Sequence, residues 1–387
     1  MTLSNPTARG KTALRARLDS VIDHALEQHR IVGTVVLVAQ DGEPVYGRAA
    51  GLANRETGTP MKEDSIFLLA SMTKPIVTAA AMKLFEERTI GLQDPVTRWL
   101  PDFRPRLADG THPTISLYHL LTHTAGLSYR SFEPPASPYY ALNISDGLDQ
   151  PGLGVAENLR RLAQAPLVYE PGSAWRYSLA IDVLGAVIAK AAGDSLQAAV
   201  RDLITRPLGM ADTDFRVIDE TRLATPYVDG TPEPVQMTDG MAVPLFGAPV
   251  TFAPSRIFNK SSYPSGGAGM AGTAHDLLGF FESIRVGGHG LLRPSTVDRM
   301  MASHVGPEAQ TWGPGWGFGL GWAVLDDPAL TATPQAKGTI QWGGVYGHTW
   351  FVDRANSLTV VILTNTAFEG MSGAFPNDVR DAIYSAL

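Results

Sequence analysis

The sequence predicts an α+β protein whose sheet is assembled from both ends of the chain and flanked by helices, with a mostly helical stretch inserted between the two halves. Three observations carry that expectation. β-rich runs lie near the N-terminus, at Thr34 to Gln40 and Pro44 to Ala50, and again near the C-terminus, at Ile340 to Val345, His348 to Asp353 and Leu358 to Asn365. The stretch from about residue 90 to 260 instead mixes short helices with long Pro/Gly-rich loops, among them Pro134 to Pro151 and Pro226 to Pro254. A chain of 387 residues, 44% hydrophobic and 18% charged, is long enough for a large core and about two domains. The expected division is a discontinuous sheet domain, residues 1–83 with 265–387, and a helical domain, residues 84–264, with a cleft at their junction.

Each element has a local cause. Between Met1 and Arg30, Leu14, Leu18, Val21, Ile22, Ala25 and Leu26 follow a helical period, and no apolar run reaches the length of a signal-peptide core. The segment predicts an amphipathic helix. Asp41-Gly42 marks a hairpin turn between the first two strands. From Met72 to about Arg88, Ile76, Val77, Ala79, Ala80, Ala81, Met82, Leu84 and Phe85 make a helix apolar almost all round, which predicts burial. Pro75 belongs in a first turn, so that helix starts near Ser71. The turn Pro171 to Leu179 leads into an apolar helix running through Ile188 and ending near Gly193, and a terminal helix spans about Asn377 to Ala386.

Composition excludes several function classes. With 31 basic and 38 acidic side chains the net charge is −7, and no basic stripe interleaved with aromatics occurs, so nucleic-acid binding is not expected. No segment approaches the length of a membrane span, and a cytoplasmic enzyme is expected. With no cysteine, any nucleophile must be an oxygen or an amine. The chain lacks G-x-S-x-G, H-E-x-x-H and G-x-x-x-x-G-K-[ST]. His119 and His123 have metal-ligand spacing but no evident third ligand, so neither a metal nor an organic cofactor is expected.

Ser71-Met72-Thr73-Lys74 places a hydroxyl and an amine three positions apart at a helix start, where residues i and i+3 share a face. An amine folded back onto the serine oxygen can act as its base if burial and the helix dipole hold it neutral, and Ala70, Met72, Thr73, Pro75 and Ile76 bring no anion. The same spacing also suits an N-capping serine beside an exposed lysine. Tyr177, just before the second apolar helix, offers a phenol that could relay a proton, or simply anchor the helix start. Paired glycines inside the Gln341 to His348 strand pattern mark either a β-bulge or a place where a substrate lies against the backbone.

Taken together, these segments resemble the serine β-lactamase and penicillin-binding protein superfamily, and within it the family VIII carboxylesterases. The resemblance runs nearly the whole chain. It rests on Leu69-Ala70-Ser71-Met72-Thr73-Lys74-Pro75, Leu92-Gln93-Asp94-Pro95-Val96 with Trp99-Leu100-Pro101, and His119 to Leu127. Further matches are Tyr177-Ser178-Leu179, Tyr263 to Met270, and Trp342-Gly343-Gly344-Val345-Tyr346-Gly347-His348. The resemblance implies a β-lactamase-like fold with an antiparallel sheet, Ser71 as nucleophile, Lys74 as its base partner, Tyr177 sharing the proton relay, and the amides of Ser71 and Val345 as oxyanion hole. It leaves open which of Lys74 and Tyr177 takes the first proton, and it gives His119 and His123 a structural role.

Two departures bear on substrate. Where class C β-lactamases carry Lys-Thr-Gly this chain has Trp342-Gly343-Gly344, and where they carry Tyr-Ser-Asn it has Tyr177-Ser178-Leu179. An indole and an isobutyl group thus stand where a cation and an amide would meet an anionic acylamide, which suits a small neutral ester. Tyr118, Tyr129, Phe132, Tyr139, Trp175 and Trp350 are further candidates for the pocket walls. The expected activity is hydrolysis of short-chain neutral carboxylic esters through an acyl-enzyme on Ser71. The alternatives on the same site are a β-lactamase or D-amino peptidase and an acyltransferase, with a non-catalytic scaffold as the reading of a different class.

Overall fold

The computed structural model describes residues 8–245 and 248–386. Its centre is an eight-stranded sheet built from both ends of the chain. In chain order the strands are β1 (Gly33–Gln40), β2 (Glu43–Asn54), β3 (Thr59–Pro60), β4 (Trp316–Phe318), β5 (Ala323–Leu325), β6 (Ile340–Gly344), β7 (His348–Asp353) and β8 (Leu358–Thr364). Their order across the sheet is β4-β5-β6-β7-β8-β1-β2-β3. Every pairing is antiparallel, and β1 and β8 join the two ends of the chain with Val36 opposite Ile362 and Val38 opposite Val360. The hairpin at Asp41-Gly42 forms because both residues take positive φ, 53° and 87°, the geometry of a type I′ turn.

Each face of the sheet is covered by helices. The N-terminal helix α1 (Ala8–Glu27) buries Leu14, Leu18, Ile22 and Ala25, one stripe at helical period, against Val36, Val38 and Phe351 of the sheet and Phe375 and Val379 of the terminal helix. Toward the other face α2 (Thr73–Glu86) and α3 (Ala180–Ala192) share the main core with α4 (Ala274–Arg285), and it is α4 that lies directly against β1, β7 and β8. The helix α2 is buried nearly all round, as its composition requires, and meets α3 directly. The terminal helix is α5 (Ala374–Tyr384), and α3 ends at Gly193 in the left-handed conformation, φ 71°.

The stretch Pro226 to Pro254, expected as loop, carries regular structure: short strands at Tyr227–Val228 and Val235–Gln236, and an antiparallel pair Met241–Leu245 with Ala248–Phe252. Its prolines hid the pairing, since they depress strand propensity without preventing an exposed two-stranded ribbon. Among the described residues no single helix is long and apolar enough to cross a membrane.

Candidate active site

Ser71 stands at a strained entry to α2. A turn of 3-10 helix, Ala70–Met72, precedes it, and Ala70 takes φ 45°, a left-handed conformation that costs an alanine about 1 kcal/mol or more. Tertiary contacts hold the kink. Phe67–Leu68 pairs with Ala271–Gly272, the Leu69 amide donates to Met270 O at 2.8 Å, and His348 Nε2 donates to Leu68 O at 2.8 Å. Gly344 presses on the same segment from β6: a Cβ there would lie 2.6 Å from Leu69 O.

Two side chains, one from the next turn of the chain and one from 106 positions further on, converge on Ser71 Oγ. Lys74 Nζ donates to Ser71 Oγ at 3.1 Å, and Tyr177 Oη donates to it at 2.8 Å. Lys74 also donates to the carbonyl of Gly267 at 2.8 Å, so its Nζ is held between two acceptors although the residue is only 1% exposed. Among the described residues it forms no ion pair. Its Nζ lies 4.5 Å from the centre of the Tyr177 ring and 5.5 Å from that of Tyr129. Trp342 Nε1 donates to Tyr177 Oη at 3.1 Å, completing a chain from Trp342 through Tyr177 to Ser71.

The surroundings are buried and mostly aromatic. Burial, with Lys74 as a secondary cause, holds His123 well below the usual histidine range; its ring packs on Tyr177 at 4.9 Å and its Nδ1 accepts from the Ser178 amide at 3.2 Å. Burial pushes the Tyr129 phenol well up, with Tyr177 and Asp182 adding to it. Asp182, at the start of α3, accepts from Ser265 Oγ at 2.6 Å, and burial raises its carboxyl above the usual range. The amides of Ser71 and Val345 have no acceptor among the described residues, and both residues line the cleft. Two such donors at the nucleophile are what an oxyanion requires.

The cleft has a volume of about 640 Å³. Phe132, Trp175, Trp312, Trp342 and Met371 supply much of its wall, with Thr311, Gln341 and Gly343 beside them and Arg380 of α5 at one end. It follows the edge of β6: β5 pairs with β6 only at Ile340 and Gln341, which leaves Trp342 to Gly344 without a neighbour on that side. Because alternate residues point to opposite faces, Trp342 meets Tyr177 on one side while Gln341, Gly343 and their partners Phe351 and Thr349 open the cleft on the other.

Several sequence expectations need correction here. Trp350 does not reach the cleft: it sits opposite Trp342 in register, but one strand further in, beneath α4, where it is 0% exposed and stacks on Phe281 at 3.8 Å. Leu179 is also 0% exposed, packed in the core at the start of α3, so it contributes no apolar wall. Gly344 supports the Ser71 segment and does not line the cleft, and Tyr129 lies behind Lys74 and Tyr177. Tyr139 is buried with its Oη on the Ser128 amide, and Tyr118 faces His304. Phe132 and Trp175 do line the cleft. His119 Nδ1 accepts from the Ser116 amide, and no group of three or more acidic or histidine residues suited to a metal occurs among the described residues.

Sequence reasoning assigned no role to Gly267, whose carbonyl holds Lys74. The signal was present in Ser265-Gly266-Gly267. A Cβ on Gly266 would lie 2.5 Å from Ile181 O and one on Gly267 2.4 Å from Asp182 Oδ2, so only glycine permits the approach to α3.

Comparison with known proteins adds to this geometry. The family model described as Beta-lactamase matches residues 18–384. Esterase EstB of Burkholderia gladioli is 55% identical to this chain, over 98% of each. Among solved structures, EstCE1, a hydrolase with promiscuous acyltransferase activity, aligns with a TM-score of 0.95 at 50% identity, covering 97% of this chain and 99% of its own. Simvastatin synthase LovD of Aspergillus terreus aligns at 0.77 with 22% identity, over 96% of this chain and 98% of its own, a likeness of fold alone.

Proposed function

The chain belongs to the β-lactamase family and is a serine carboxylesterase, and we propose that it hydrolyses short-chain neutral carboxylic esters through an acyl-enzyme on Ser71. The observation that carries this reading is the convergence of Lys74 Nζ and Tyr177 Oη on Ser71 Oγ in an aromatic-walled cleft. In acylation the Oγ–H bond breaks, its proton passes into the Lys74 and Tyr177 pair, and Oγ bonds to the ester carbon. The carbonyl electrons move to an oxyanion facing the amides of Ser71 and Val345. As the intermediate collapses, the C–O bond to the alcohol breaks and the pair returns the proton to the leaving oxygen. Water repeats the cycle from the other side, giving the carboxylic acid and free Ser71.

The choice of ester over β-lactam rests on charge. Arg176, one of two arginines at the cleft, is occupied by Glu133 at 3.0 Å, Ser128 Oγ and Phe132 O, and Trp342 stands beside the nucleophile where a cation would meet a carboxylate. Loss of one charge-assisted hydrogen bond disfavours an anionic substrate by about ten- to a hundredfold. Turnover of p-nitrophenyl butyrate well above that of nitrocefin, with a Ser71 adduct seen by intact mass, is the expected outcome. A Ser71→Ala variant that stays folded and still turns over the ester would sink the proposal. A second reading, transfer of the acyl group to an added alcohol, draws on the 50% identity to EstCE1. Partitioning of the acyl-enzyme between water and methanol tests it. We further propose a cytoplasmic location, which cell fractionation checks.

A further inference from the structure

Five side chains of the cleft wall carry a hydroxyl or an amide that takes no part in the contacts around Ser71: Thr311, Gln341, Thr349, Ser372 and Asn377. Four of them are fully engaged with the protein. Thr311 and Thr349 donate their protons to the carbonyls of Gly317 and Gly370, and Ser372 donates to Phe368 O at 3.4 Å. Asn377 uses both ends of its amide, accepting from Arg380 at 3.0 Å and donating to Gly373 O at 3.4 Å. Gln341 uses only one end. Its Oε1 accepts from Gln335 Nε2 at 3.1 Å, while its Nε2 has no acceptor among the described residues although Gln341 is only 7% exposed.

We propose that Gln341 is a specificity-determining residue whose Nε2 binds an oxygen on the acyl chain, so that the preferred substrates are neutral esters with a hydroxyl several carbons from the carbonyl. The inference rests on the acyl-enzyme reading above and adds the identity of the acyl group.

A nearly buried amide with a free N–H is unfavourable unless something binds it, and the open side here is the cleft. The amide is held in place from behind. Thr333 Oγ1 donates to Gln335 Oε1 at 2.8 Å, which turns Gln335 Nε2 toward Gln341 and leaves Gln341 Nε2 as the unmatched end of the series. Gln341 also stands where an acyl chain would pass. It shares a face of β6 with Gly343, and Gly344, the next residue along, presses on Leu69 O in the segment that leads to Ser71. Three strand positions separate Gly344 from Gln341, roughly 10 Å, which is the span of an extended chain of about six carbons and its terminal hydrogen bond. The group bound there is neutral, because Arg380 faces Asp381 Oδ1 at 2.8 Å and Asn377 Oδ1, which leaves recognition to the amide.

The test compares p-nitrophenyl 6-hydroxyhexanoate with p-nitrophenyl hexanoate as a ratio of kcat/KM, the uncatalysed rate subtracted from each. In the unaltered enzyme the hydroxyl ester should be preferred by about three- to tenfold. Gln341→Met keeps the length of the side chain and removes the amide; its ratio should fall to one or below, since the hydroxyl would then be buried without a partner. Gln341→Glu restores an acceptor for the same hydroxyl and should recover part of the preference. An unaltered enzyme that prefers the plain hexanoate overturns the inference without recourse to any variant. So does an unchanged ratio in a Gln341→Met protein with native circular dichroism. Failure of the underlying reading is distinct: the unaltered enzyme would then show no acyl adduct on Ser71 with either ester after rapid quenching.

Discussion

Tyr177 Oη lies 2.8 Å from Ser71 Oγ although 106 positions separate the two residues in the chain. The bond exists because α2 and α3 pack against each other, which sets the start of one helix beside the residues that lead into the other. That relationship, and the shared acceptor it makes of Ser71, governs the first prediction. Lys74→Ala and Tyr177→Phe should each lower kcat on p-nitrophenyl butyrate by about 10²- to 10⁴-fold, and the double variant should be little worse than the poorer single one, because the two act on one proton. Multiplicative losses in the double-mutant cycle would show that they act independently.

Gly267→Ala tests the carbonyl that holds Lys74. The added Cβ would sit 2.4 Å from Asp182 Oδ2 and 3.3 Å from Tyr129 Oη, both buried, so the segment must retreat from α3 and take its carbonyl with it. A stability loss of about 1–3 kcal/mol is expected in urea unfolding. Turnover in the folded protein should fall at least tenfold, since a displacement of an ångström at a catalytic group has that effect. Full activity in the folded variant would remove Gly267 from the site.

Gly343 sets the width of the cleft. An added Cβ would lie 2.7 Å from Met371 Cγ, 2.9 Å from His348 O and 3.3 Å from Trp312 Cη2. Gly343→Ala should therefore penalise long acyl chains more than short ones, lowering the ratio of kcat/KM for p-nitrophenyl hexanoate over acetate by about tenfold. An equal fall for both esters would mean that the residue supports the strand and does not shape the pocket.

His348 gives the fold a definite acid response. Burial lowers its pKa from the ordinary 6.5 to about 4 while its Nε2–H bonds Leu68 O. Between these values the unfolded chain binds a proton that the native state does not, so this residue's contribution to stability is present above about pH 6.5 and is lost as pH falls toward 4. Asp146 works the other way: burial raises its carboxyl to about 6, and its contribution to stability falls as pH rises from about 4 to 6. The difference between wild type and His348→Gln isolates the histidine. Denaturation midpoints should converge as pH drops from 6.5 to 4, and a constant gap would contradict the assignment.

Much of the architecture was legible because its causes are local. The stripe Leu14, Leu18, Ile22, Ala25 specified α1, Asp41-Gly42 specified the first hairpin, and the all-round apolar run after Ser71 specified a buried α2. The ribbon between Met241 and Phe252 was not legible, because its pairing is stabilised by a partner strand and by contacts that proline-rich sequence does not advertise.

At the site the same line divides what sequence and structure determined. From the sequence, Ser71, Lys74, Tyr177, Val345 and Trp342 were singled out by ordered motif matches to a known family, since the spacing of each motif by itself suited a structural role as well. The same reading misplaced Trp350 and Leu179, both fully buried, because one aromatic or aliphatic residue has the same composition on a cleft wall as in a core. Only the tertiary structure decided that Gly267 O would hold the lysine and that the Trp342 N–H would meet the Tyr177 oxygen. Hydrogen bonds depend on distances of a few tenths of an ångström between groups far apart in the chain, and those distances are set by how helices and sheet pack.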